Sequence, residues 1–137
     1  MRHIIVVMIA VLLPTTSYAI EECTGDDRAA RKVTCVVDGD TLWEKGKKLR
    51  MLEIDAPETF CAACERERQM GEAAKNRLIA LMERGYRIRY SGEKDRTSDK
   101  RDLVEVILSD GRDAGQVLIR EGLAQAWPNK GNKWCGR

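Results

Sequence analysis

Two hydrophobic periods divide the chain. A β-rich run from Val33 to Val37 stands before the turn signal Asp38-Gly39. Thr41-Leu42-Trp43 resumes the run and stops at Lys45-Gly46. Lys48 to Ile54 then alternates, with Leu49 and Met51 on one side, until Pro57 ends it. Alternation at period two between turn residues predicts three strands. The period then lengthens. Met70, Ala74, Leu78, Leu81 and Met82 recur at helical spacing, with Glu67, Arg68, Glu72 and Lys75 among the polar positions between them. This predicts an amphipathic helix from about Cys64 to Arg84, closed by Gly85. Tyr86 to Tyr90 and Leu103 to Leu108 read as strands on either side of a basic loop, Glu93 to Arg101. Ala114 to Glu121 reads as a short helix capped by Gly122.

Three strands, a helix, two strands and a short helix predict a mostly β fold with α. The matching architecture is a five-stranded OB-fold barrel with its main helix after strand 3 and a short C-terminal helix. Such a barrel presents its strand 1–2 and strand 4–5 loops to oligonucleotides. Here the first loop carries Asp38 and Asp40. The second carries Lys94, Arg96, Lys100 and Arg101.

The start of the chain changes this picture. Arg2, the apolar run Ile4 to Leu13 and the small residues of Ser17-Tyr18-Ala19 predict a secretory signal peptide, residues 1–19, cleaved after Ala19. The run is shorter than the ~20 residues needed to span a bilayer. The expected domain is then 20–137 and the expected location periplasmic or secreted. Without Arg2, 23 basic face 22 acidic residues, so attraction for phosphate has to be local. Five cysteines, at 23, 35, 61, 64 and 135, favour disulfides in an exported chain, with one left over. Sequence does not fix their connectivity. The preferred pairs are Cys64 with Cys135 and Cys23 with Cys35, leaving Cys61. A zinc site, or a redox role for Cys61-Ala62-Ala63-Cys64, remains an alternative.

Candidate chemistry lies in three short stretches: Asp38-Gly39-Asp40-Thr41, then Arg50, then Asp55-Ala56-Pro57-Glu58-Thr59. Each alone is an ordinary turn or strand exit. Together, in this order and spacing, they resemble the thermonuclease (staphylococcal nuclease-like) family, from about Val33 to Trp127. The resemblance implies a Ca²⁺-dependent endonuclease that cuts DNA and RNA with little sequence preference and leaves 3′-phosphate ends. It implies Asp40, Asp55 and the Ala56 carbonyl as metal ligands, hard oxygen donors suited to Ca²⁺. It implies Glu58 as general base or water-orienting group. Arg50 and Arg101 would grip phosphate through their guanidinium forks. Asp38 and Thr41 would support the turn, and Lys94, Arg96 and Lys100 would bind the strand.

Two departures accompany the resemblance. The family's Tyr-Gly before its second arginine is missing here, and Arg96 is an alternative to Arg101. The family's last long helix is not expected either. The resemblance implies single- or double-stranded DNA and RNA as substrates, and a monomer is expected. A catalytically weak or inactive OB-fold nucleic-acid-binding module is the main alternative, with a thiol redox protein behind it.

Overall fold

The structure is a computed structural model that describes residues 19–97 and 100–136. The signal peptide predicted at 1–19 lies outside the described residues except for Ala19. Among the described residues, no helix is long and apolar enough to cross a membrane.

The strands are β1 (Cys35–Asp38), β2 (Thr41–Glu44), β3 (Lys47–Met51), β4 (Ile54–Asp55), β5 (Tyr86–Lys94), β6 (Asp102–Leu108) and β7 (Gln125–Ala126). The helices are α1 (Glu65–Met82) and α2 (Ala114–Arg120). Five strands form one sheet in the order β1-β2-β3-β6-β5, and β4 pairs with β7 in a second ladder. The pairings are antiparallel except for β3 with β6, which run parallel. Val36, Leu42, Leu49, Met51, Val104 and Val106 turn inward and meet Leu78 and Met82 of α1 and Val117 and Leu118 of α2. Burying such side chains contributes about 1.5–3 kcal/mol each.

Three expectations need correction. The sheet does not close into a barrel, because no ladder joins β5 to β1 among the described residues. A side-chain contact links β5 to the end of β2 instead: Tyr86 Oη donates to Glu44 Oε2 at 2.7 Å. The predicted third strand is broken, since Glu53 takes φ +60° and sends the chain from β3 into β4. Finally, Glu67 and Lys75, assigned to the polar face of the helix, are buried. Lys75 Nζ is satisfied at 2.8 Å by both Glu22 and Glu72.

The cysteines pair as Cys23–Cys35 and Cys64–Cys135, and Cys61 is free and exposed. The second bridge ties the C-terminal tail to the start of α1.

Candidate active site

The site is built where β1 turns into β2, where β4 begins, and where α1 starts. A register shift between Val36 and Asp38 marks the end of β1. The turn then presses on its surroundings. A Cβ on Gly39 would lie 2.8 Å from Ala74 Cβ on α1 and 2.9 Å from Ala56 Cβ, so this turn requires glycine for close approach. The contact brings Asp40 against the Asp55-Ala56 segment.

Asp40 is almost fully buried, and both of its carboxylate oxygens have partners. Oδ1 accepts from Thr41 Oγ1 at 2.9 Å and pairs with Arg50 Nη1 at 2.8 Å, while Oδ2 accepts the Ala56 N–H at 2.8 Å. Burial pushes its carboxyl above the usual range, and Arg50, Ala56 and Thr41 oppose that push. Arg50 also reaches Asp55, with Nη2 3.6 Å from Oδ1, and donates to the Ile54 carbonyl at 3.3 Å. Asp40 and Asp55 thus converge on one guanidinium. Asp38 Oδ1 accepts from Thr59 Oγ1 at 2.5 Å, which ties the first motif to the segment bearing Glu58.

Glu58 is exposed as a residue, but the crowding of its carboxyl by neighbouring atoms pushes its pKa up to about 6. Burial is the largest cause, followed by the negative charges of Asp38 and Asp40, while Arg50 pulls the other way. A carboxylate so tuned can accept a proton near neutrality.

Arg101 immediately precedes β6, two residues before Leu103, the register partner of Arg50. Asp95 holds Arg101 twice: the guanidinium Nε donates to Asp95 Oδ2 at 2.6 Å, and the backbone N–H of Arg101 donates to Asp95 Oδ1 at 3.1 Å. Lys94 belongs to β5 rather than to the loop and is paired with Asp102 at 2.7 Å. Arg96 and Lys100 are exposed.

Sequence reasoning missed several supports. Gln125 and Asn129 donate to Asp55 Oδ2 at 2.9 and 2.8 Å. Glu67 accepts the N–H groups of Glu58 at 3.3 Å and Ala63 at 2.7 Å, which pins the Glu58 segment to the first turn of α1. No local motif announces these partners, although the helical position of Glu67 beside the Glu58 segment was a usable hint. Phe60 and Trp127 are exposed. Phe60 stands two residues past Glu58, and the Trp127 N–H donates to the Glu53 carbonyl at 2.9 Å.

The donor set suits the Ca²⁺ implied by the resemblance. Among the described residues no three acidic, histidine or cysteine side chains form a metal cage. Asp40 and Asp55 nevertheless bring hard oxygens from two strand ends to one positive group. Two carboxylates and a carbonyl leave positions open for water and phosphate, as an oxygen-liganded ion requires.

The model of one family, described as staphylococcal nuclease homologue, matches residues 48–133. It begins after β2, so the Asp38–Thr41 turn lies before the matched segment. No curated protein matches the chain.

Proposed function

The chain belongs to the staphylococcal nuclease homologue family, and from that premise we propose that it is an exported, Ca²⁺-dependent nuclease acting on DNA and RNA with little sequence preference, with residues 20–137 as its domain. The observation that carries the reading is the convergence of Asp40 and Asp55 on Arg50, with Glu58 within reach of the same charges. The two disulfides accord with export.

Asp40, Asp55 and the Ala56 carbonyl would hold Ca²⁺, which when bound neutralises charge on the phosphoryl oxygens and helps seat the attacking water. Glu58 accepts the proton of that water as its oxygen attacks phosphorus. The bond to the 5′-oxygen breaks, that oxygen takes up a proton from solvent water to leave as a hydroxyl, and the phosphate stays on the 3′ side. Arg50 and Arg101 grip the phosphoryl oxygens, an interaction that strengthens as charge builds. Gln125 and Asn129 hold Asp55 in place. Phe60 and Trp127 offer exposed aromatic faces to unpaired bases, and single strands are the better substrate because no duplex has to be opened.

The reading is tested by incubating the protein with single-stranded DNA in Ca²⁺, in Mg²⁺ and in chelator. Fragments with 3′-phosphate ends are expected in Ca²⁺ only, and undiminished cutting in chelator would remove the metal assignment. One observation favours a second reading, a weakly catalytic binding module: Asp95 already engages Arg101. That reading predicts a shifted but uncut strand in Ca²⁺.

A further inference from the structure

The open side of the sheet holds a cleft of about 920 Å³ between the β2–β3 turn, the end of α1 and β5. Ile20, Met82 and Ile88 contribute apolar surface to it, and Tyr86 and Tyr90 their rings. Lys45, Lys47, Arg84 and Arg87 also line it, and all four are exposed. Among the described residues none of the four has a carboxylate partner within ion-pair distance, and all four line one cleft. Only Glu44 and Glu83 oppose them in the cleft, and Glu44 is already engaged by Tyr86. Four cations against two carboxylates leave an excess of two positive charges. The nearby C-terminal end of α1 adds only about half a negative charge. In a chain whose net charge is +2, this is a local concentration of unspent positive charge.

We propose that this cleft is a second, non-catalytic site that binds the sugar-phosphate backbone of a nucleic-acid strand whose scissile phosphate lies at the Asp40–Glu58 site. Unpaired cations beside aromatic rings are what a strand without sequence preference requires. Distance makes the two sites separable. The cleavage site lies at the start of α1, through Glu67, and the cleft at its end, through Met82 to Gly85. Eighteen helical residues span about 27 Å at 1.5 Å each. That is about eight nucleotides at the ~3.4 Å stacked spacing of a duplex strand, and fewer for an extended single strand. The cleft therefore serves long strands and is out of reach of very short ones. The inference rests on the nuclease reading above.

The test compares the parent protein with a variant carrying Lys45→Gln, Lys47→Gln, Arg84→Gln and Arg87→Gln together. All four side chains are exposed, so the fold should survive, and a second variant with Lys45→Arg and Lys47→Arg keeps the charge. Affinity for a 30-nucleotide strand is measured in chelator across a salt series, and cleavage of a four-nucleotide strand is measured in Ca²⁺. If all four cations touch phosphate, the parent loses about fifty-fold more affinity than the glutamine variant between 0.05 and 0.2 M salt. The arginine variant follows the parent, and four-nucleotide cleavage is equal in all three. An unchanged salt slope in the glutamine variant overturns the inference while leaving the nuclease reading intact. So does an equal loss on the short substrate, since the effect would then act through the cleavage site. If the parent neither binds the long strand nor cuts the short one, the nuclease reading fails and the second site fails with it.

Discussion

At Glu58, burial and two neighbouring aspartates act against one arginine, and the carboxyl settles at about 6. Glu58→Gln keeps the shape and removes the basicity. It should leave strand affinity unchanged and lower kcat by about 10²–10⁴. Single-turnover cleavage beside equilibrium binding separates the two effects, and a parental rate would remove Glu58 from the chemistry. Asp95 shows the opposite balance. Burial is the largest single influence on it and pushes its carboxyl up, but hydrogen bonds from Thr97 and Arg101 together hold it below the usual 3.8. A folded-state value below the unfolded one stabilises the fold fully above the unfolded value. That contribution is lost as pH falls through the lower, folded value. Asp95→Asn should therefore reduce stability at neutral pH, and its difference from the parent should vanish in strong acid. Denaturant unfolding from pH 7 to pH 2 measures this, and a gap that persists in acid would show that Asp95 does not act through its charge.

At the scale of elements, α1 is more than a cover for the sheet. The Pro57-Glu58 segment crosses it at Gly71, where a Cβ would fall 2.6 Å from the Glu58 carbonyl oxygen and 2.8 Å from that of Pro57. Helix propensity alone favours alanine over glycine by about 1 kcal/mol. The backbone contact outweighs it, because no flexible side chain is there to move aside. Gly71→Ala should push Glu58 outward and lower kcat by about a hundredfold, the cost of a misplacement of about 1 Å. A thermal midpoint that rises with unchanged kcat would show that the segment yields freely. The helix itself was readable from Met70, Ala74, Leu78, Leu81 and Met82. The burial of Glu67 was not, because its reason is a pair of backbone N–H groups on another segment, at Glu58 and Ala63.

Across the whole molecule, the Cys64–Cys135 bridge joins residues 71 apart. Closing so long a loop restricts the unfolded chain by about 4 kcal/mol in the chain-entropy account. The bridge also steadies the tail that brings Asn129 to Asp55. Cys135→Ser should therefore lower stability by an amount of that order and lower cleavage as well. Asn129→Ala should lower cleavage alone. Parental cleavage in Cys135→Ser, measured below its unfolding temperature, would separate the tail from the site.

The sequence by itself determined the order of the main elements, because alternation, helical spacing and turn residues are local properties of the chain. It also placed Asp38, Asp40, Arg50, Asp55 and Glu58 in short recognisable stretches, and the Cys23–Cys35 and Cys64–Cys135 pairing was its preferred one among several. Only the tertiary structure decided that Arg50 bridges Asp40 and Asp55, that Asp95 clamps Arg101, and that Gln125 and Asn129 support Asp55. It alone broke the third strand at Glu53, whose positive φ no neighbouring residue announces. It alone left the sheet open between β1 and β5, because closure depends on the relative placement of two edges far apart in the chain. The same opening gathers Lys45, Lys47, Arg84 and Arg87 around one cleft. Their proximity exists only once the β2–β3 turn and the end of α1 have packed against β5.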